Sequence, residues 1–254
     1  MKNLGIYTCL AYPRPLEEKI ALIKQTGFDV IGLDFEEGEE PWEFQLKLAQ
    51  KYAMPVTDVH LTGVGMSSVW EDGDQGQPVI DRLIKELREM SNLGIEVGVA
   101  HITWGLDRPP APTEHSLRYF YQVADAAEKY GVKLALENSA FAEHVRYVLD
   151  HIDSKHIGFC FDSGHENAFT HGERYLESYA DRLLATHLHD NDGTFDKHDI
   201  PGRGNVDWED TVRQLKKAPL FEKQAVLELG WQGDLSLEDL LTRGYEALKK
   251  IAEM

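Results

Sequence analysis

Short apolar runs alternate along this chain with longer stretches in which apolar residues recur every three or four positions. The runs are Leu4–Cys9, Asp29–Asp34, Pro55–His60, Glu96–His101, Val132–Glu137, His156–Asp162, Leu184–His189 and Ala225–Glu228. Near-continuous apolar character suits parallel strands buried on both faces. The longer stretches are Leu16–Thr26, Trp42–Tyr52, Val79–Asn92, Ser116–Tyr130, Glu143–Ile152, Tyr175–Asp181, Trp208–Lys217 and Leu237–Ala252. Their period is that of helices with one apolar face. Gly27, Gly94 and Gly131 stand just before a strand run, where a helix C-cap wants a left-handed residue. Eight strand–helix units in 254 residues predict an α/β fold, a single (β/α)8 TIM barrel forming one domain over residues 1–254. A doubly wound open sheet is the alternative. It usually carries a Gly-rich phosphate loop after the first strand, and LAYPRP stands there instead.

Composition narrows the function. Hydrophobic residues at 42% and charged residues at 28% exclude disordered, collagen-like and coiled-coil readings. Twenty-six Lys and Arg stand against 44 Asp and Glu, a net charge of -18 at pH 7. Such a surface repels polyanions, which argues against nucleic acid and anionic membrane as partners. No apolar run reaches the length of a membrane span. The stretch MKNLGIYTCLAYP lacks a signal peptide's apolar core and cleavage site. The two cysteines, Cys9 and Cys160, make no disulfide framework and read as reduced thiols in a cytoplasmic protein.

TIM barrels work at the C-terminal ends of their strands. From the third predicted strand onward, these ends carry His60, His101, Glu137, Asp162 with His165, His187 with His189, and Glu228. Asp196 and His198 follow in the loop after the seventh strand. A single such residue is usually solvated or caps a chain end. Ten at six successive strand ends would crowd the mouth of a narrow barrel, and carboxylates packed so closely repel. A divalent cation removes that repulsion. Imidazole with carboxylate is a ligand set for zinc, manganese, iron or cobalt.

LENS, FDSGH, HLHD, DKH followed by PGRGNVDW, and LELGW together resemble the xylose isomerase-like TIM barrel superfamily. That superfamily holds the sugar phosphate isomerase/epimerases and the type IV apurinic endonucleases. The resemblance implies a single-metal ligand set of Glu137, Asp162, His187 and Glu228. The family's metal histidine precedes an acid by three residues, as His187 precedes Asp190; His189 then contacts substrate or supports a ligand. His60 and His101 match endonuclease histidines that share the glutamate, here Glu137, with another metal. His165, Asp196 and His198 match the three that hold a third metal. One divalent ion (Mn, Zn, Co or Fe) is therefore expected, with positions for up to three.

The activity so implied is a metal-dependent sugar isomerase or epimerase of carbohydrate metabolism. Glu137 and Glu228 would be its catalytic acid–base pair and a small-molecule carbohydrate its substrate; a homodimer is the family habit. A dehydratase or lyase would share the first proton abstraction. A multi-metal phosphodiester hydrolase and a non-catalytic metal-binding barrel are the alternatives from other classes. His165, His189, Arg203 and Trp104 are the candidate substrate contacts, Arg203 because its guanidinium matches oxyanions. Gly230–Leu235 (GWQGDL) has no basic residue to hold a phosphate, so a phosphosugar is not required. Trp231, Tyr7 and Glu36 are further pocket candidates. The loop Leu61–Gln77, with Trp70, is a candidate lid. Cys160 reads as a buried structural thiol.

Overall fold

The computed structural model describes residues 2–35 and 39–254, so Glu36 lies outside the described residues. The eight strands are β1 (Asn3–Tyr7), β2 (Val30–Asp34), β3 (Val56–His60), β4 (Val97–His101), β5 (Lys133–Glu137), β6 (Ile157–Asp162), β7 (Leu183–His187) and β8 (Gln224–Leu227). All paired neighbours are parallel, in the order β7-β6-β5-β4-β3-β2-β1-β8. The seam between β7 and β8 is closed by backbone bonds from Leu188 N to Val226 O (3.0 Å) and from Glu228 N to Leu188 O (3.2 Å). The Thr186 hydroxyl also accepts from Val226 N at 3.1 Å. The result is the TIM barrel that the hydrophobic pattern predicts.

Around it stand α1 (Leu16–Thr26), α2 (Trp42–Lys51), α3 (Gln77–Leu93), α4 (Glu114–Tyr130), α5 (Ala142–His151), α6 (Ser163–Phe169), α7 (Tyr175–Tyr179), α8 (Trp208–Leu215) and α9 (Leu237–Glu253). The glycine C-caps of α1, α3 and α4 are left-handed, with φ of 111°, 73° and 69°. Thr113 and Ser116 close a reciprocal capping box on α4. None of the described helices is long and apolar enough to cross a membrane.

The structure departs from the sequence pattern in three places. β1, β7 and β8 end at Tyr7, His187 and Leu227, where ladder pairing stops, so His189 and Glu228 lie just beyond their strands. α6 follows β6 with no intervening turn. It is capped by the last strand residue, since Asp162 Oδ1 accepts from His165 N at 2.6 Å. Its short sequence, SGHENAF, is too polar to show a helical period. The expected lid at 61–77 instead packs inward around a 3-10 turn, Met66–Trp70. Trp70 is buried, donates from Nε1 to Ile102 O at 2.9 Å, and meets His144 edge-on at 4.5 Å.

Period-two alternation sorts each strand's side chains. Leu134, Leu136, Phe159 and Phe161 belong to the large core that also takes in helix residues. Each such side chain contributes about 1.5–3 kcal/mol by burial. Val99, Ala135, Cys160 and Ala185 form a separate small cluster in the barrel interior. Two residues further along these strands come His101, Glu137, Asp162 and His187. Tyr7 fills the opposite side of the interior. It needs Gly32, where a Cβ would stand 2.4 Å from its ring, and its hydroxyl donates to the buried Asp58 carboxylate.

Candidate metal centre at the barrel mouth

Four residues predicted as one ligand set converge. Single ligand atoms from Glu137, Asp162, His187 and Glu228 all lie within 4.8 Å of one another, and all four residues are buried. Atoms held 2.0–2.2 Å from a common ion stand roughly 3–4 Å apart, so this spacing fits a divalent cation. His187 Nδ1 lies 3.2 Å from Glu137 Oε1 and 3.1 Å from Glu228 Oε2. Yet both Glu137 oxygens and both His187 nitrogens lack an aligned hydrogen bond. They aim at shared space rather than at each other, and buried polar atoms seldom go unsatisfied without a bound species.

His60, His101 and His165 face the same glutamate. Glu137 Oε2 lies 3.3 Å from His60 Nε2 and 3.4 Å from His101 Nε2. His165, Asp196 and His198 form a further group of compatible ligand atoms. His165 Nε2 is 3.2 Å and His198 Nε2 2.9 Å from Asp196 Oδ2.

The imidazole tautomers carry the chemistry further. His60 Nδ1 faces Leu61 O (3.1 Å), His165 Nδ1 faces Asn138 O (2.9 Å) and His198 Nδ1 faces Glu228 O (3.2 Å). A carbonyl only accepts, so each Nδ1 carries the proton. Nε2 is then left aimed at a carboxylate oxygen. Two lone pairs face each other there unless a proton or a cation lies between them. A backbone carbonyl on the far nitrogen is the usual support of a metal-ligating histidine.

Electrostatics agree. Burial disfavours the charged form of Glu137, but His187 and His101 hold its carboxyl well below the usual range. Glu228 is opposed by burial in the same way and pulled down by His187 and His198. Burial lowers His60, but Glu137 and Glu228 raise it to about 9. His198 reaches about 9 through Asp196 and Glu228 despite its burial. Without a cation, protonated imidazoles balance these carboxylates; a cation competes with those protons for the same lone pairs.

His198 also has a φ of 46°, a left-handed conformation rare outside glycine. Strain of this kind costs roughly 1–3 kcal/mol and persists only where surroundings enforce it. Here Gly230 N and Gln232 Nε2 hold His198 O at 2.9 and 3.1 Å.

The other candidates separate. His189 is fully buried, bonded to Asp162 Oδ2 at 3.0 Å and stacked on His198 at 4.1 Å, and it forms a further group of compatible ligand atoms with His198 and Glu228. Trp104 is 38% exposed, with its ring 5.6 Å from that of His101. Trp231 is 60% exposed. Arg203 does not join the cluster. It binds Asp234 at 2.9 Å and lies 3.4 Å from Asp199, against a cleft shared with α9. Asp199 lies in the same loop and Asp234 in the segment between β8 and α9. Tyr7 lies below the cluster, edge-on to His187 at 4.7 Å. Cys160 is buried and Cys9 half-buried, both as free thiols.

The chain belongs to the xylose isomerase-like TIM barrel family. The family model matches residues 20–251. The uncharacterized protein MJ1311 of Methanocaldococcus jannaschii is 28% identical over 141 residues, which is 51% of this chain and 44% of that protein. The chain thus spans less than half the length of this curated relative. Among solved structures, an L-ribulose 3-epimerase superposes with a TM-score of 0.79 at 15% identity, covering 100% of this chain and 95% of the other. The IolI protein, solved with a bound zinc atom, gives 0.73 at 15% identity, covering 99% and 98%. At such identities the likeness shows the fold.

Several residues of the site were not singled out by sequence reasoning. Asn138 locks β5 to β6: its Nδ2 donates to Asp162 O and its Oδ1 accepts from Asp162 N, both at 2.8 Å. The Ser163 hydroxyl bridges the His189 backbone, donating to its O at 2.7 Å and accepting from its N at 3.0 Å. Both stand directly beside a candidate ligand in sequence, in LENS and FDSGH. That adjacency was the available signal.

Proposed function

We propose that this protein is a divalent-metal-dependent sugar isomerase or epimerase. Glu137, Asp162, His187 and Glu228 hold the cation in this reading. The observation that carries it is the convergence of these four buried residues, with no aligned hydrogen bond at either Glu137 oxygen or either His187 nitrogen, and with Glu137 and Glu228 both beside His187 Nδ1. When bound, the cation supplies Lewis-acid stabilisation of charge developing on substrate oxygens. One glutamate takes the proton from the carbon beside the substrate carbonyl. The other serves the opposite face, which inversion at one carbon requires. In this reading the Trp104 ring meets a sugar's apolar face, while His165 Nε2 is engaged by Asp196. Burial of the carboxylates keeps bulk water from quenching the carbanion equivalent. The likeness to sugar epimerase structures supports the class of substrate. A dehydratase or lyase would begin with the same proton abstraction.

The hydrolase reading has one observation of its own: all nine residues matching a three-metal set meet around Glu137 and Asp196. Against it, basic residues near the mouth are engaged by acids, Arg203 by Asp234 and Lys197 by Asp192. A chain of charge -18 also gains little from a polyanion. The test is a panel of ketoses and aldoses in deuterated water, with Mn2+ or Co2+ restored, for wild type, Glu137→Gln and Glu228→Gln. Deuterium should enter one carbon with wild type and not with either variant, with folds unchanged. Full exchange by either variant would refute the paired-glutamate mechanism. Phosphodiester cleavage without sugar exchange would favour the hydrolase.

A further inference from the structure

The candidate ligands are anchored in two different ways. Glu137, Asp162 and His187 end ladder-paired strands, and Glu228 stands one residue beyond another. Asp196 and His198 instead lie on the segment between β7 and α8, which has no named strand or helix. One side chain gathers that segment. The Asp190 carboxylate is fully buried and accepts four hydrogen bonds. Oδ1 receives Asn191 N (2.9 Å) and Val206 N (3.1 Å); Oδ2 receives Gly202 N (2.7 Å) and Trp208 Nε1 (2.9 Å). The Asp190 backbone also exchanges both bonds with Asp199, at 2.8 and 3.0 Å, directly beside His198. Gly204 leaves the room for this. A Cβ there would stand 2.1 Å from Asn191 O and 2.3 Å from Asp190 Oδ1. A single buried anion thus ties together the start of the loop, its PGRG turn and the first residue of α8.

We propose that Asp190 is a positioning residue that builds a loop-borne cation site, His165–Asp196–His198, separately from the strand-borne site at Glu137. This rests on the reading that the strand-borne cluster holds a divalent cation, and adds a second site to it. All four partners of the carboxylate are donors, so an amide at 190 keeps the shape but turns an NH2 toward N–H groups. Asp196 and His198 then lose their fixed approach to His165, while the strand ends keep theirs.

The test is Mn2+ titration of the full chain after chelator treatment, by calorimetry and by electron paramagnetic resonance, on wild type and Asp190→Asn. Wild type should show two classes of site. The variant should retain one class within about threefold and weaken the other by about 10–100-fold, as for outer-shell partners elsewhere. Gly204→Ala should reproduce that split and serves if Asp190→Asn fails to fold. Both classes unchanged, or both weakened alike, would overturn the assignment, as would a single class in wild type. Wild type that binds no Mn2+ would instead remove the cation reading on which the assignment rests.

Discussion

Gly164, the second residue of α6, offers the most direct check on how the ligands are braced. A Cβ at this position would stand 1.9 Å from His189 Cε1 and 2.3 Å from its Nδ1. The imidazole is fully buried, bonded to Asp162 Oδ2 at 3.0 Å and stacked on His198. Relief therefore means moving a ring held on two sides by candidate ligands. Overpacking of this kind costs about 1–3 kcal/mol, and loss of the bond to Asp162 adds about 1.5–3 kcal/mol. Replacing a helical glycine by alanine returns about 1 kcal/mol. The net expectation for Gly164→Ala is about 1.5–5 kcal/mol of destabilisation. In a chain of this size that lowers Tm by at least about 3 °C. Thermal unfolding of Gly164→Ala, His189→Ala and the double variant measures it. In the His189→Ala background the clash is gone, so the alanine should be neutral or stabilising by up to about 1 kcal/mol. A Gly164→Ala chain as stable as wild type, or equally destabilised in both backgrounds, would refute the reasoning.

Two further outcomes follow from the same geometry. His60 and His198 sit near 9 in the folded chain against 6.5 for a free imidazole, so the native state binds more protons across that interval. Their contribution to the stability of chelator-treated protein is complete below about pH 6.5 and lost as pH rises through about 9. Mn2+ needs the deprotonated rings, so its apparent affinity should rise over the same window; Tm measured from pH 6 to 9.5 with and without Mn2+ checks both signs. Gly63→Ala would place a Cβ 2.5 Å from the Trp104 ring. Trp104 is partly exposed and can swing outward, so Tm should move little while KM rises more than kcat falls; an unchanged KM would remove Trp104 from the substrate contacts.

The sequence carried the barrel because its strand runs and helical periods repeat eight times, and each repeat reinforces the same topology. It also carried the convergence of the candidate ligands at the strand ends, since a residue at the end of a parallel strand has one place to go. Arg203 pairs with acids outside the cluster for a local reason. A guanidinium in a loop is steered by whichever carboxylates the loop brings near, and Asp199 and Asp234 arrive first. α6 was invisible because seven residues give less than two helical turns of pattern. Asp58 was hidden for a different reason: an acid two residues before His60 faces the barrel interior, and only the structure shows the Tyr7 hydroxyl meeting it.

The two halves of the barrel interior explain why the polar layer forms where it does. On β4–β7 the layer below the ligands is Val99, Ala135, Cys160 and Ala185. These side chains fill the narrow interior directly below His101, Glu137, Asp162 and His187, whose own side chains then converge above them. On β1–β3 the same depth is taken by Tyr7, Gly32 and Asp58, a large ring needing a missing Cβ beside it and a polar partner for its hydroxyl. That ring stands edge-on to His187 and limits how far the imidazole can retreat from Glu137 and Glu228. The carboxylates are thus held together by packing that does not itself neutralise them. Their repulsion is left for protonated imidazoles or a cation to relieve, which is the physical basis of the cation reading proposed above.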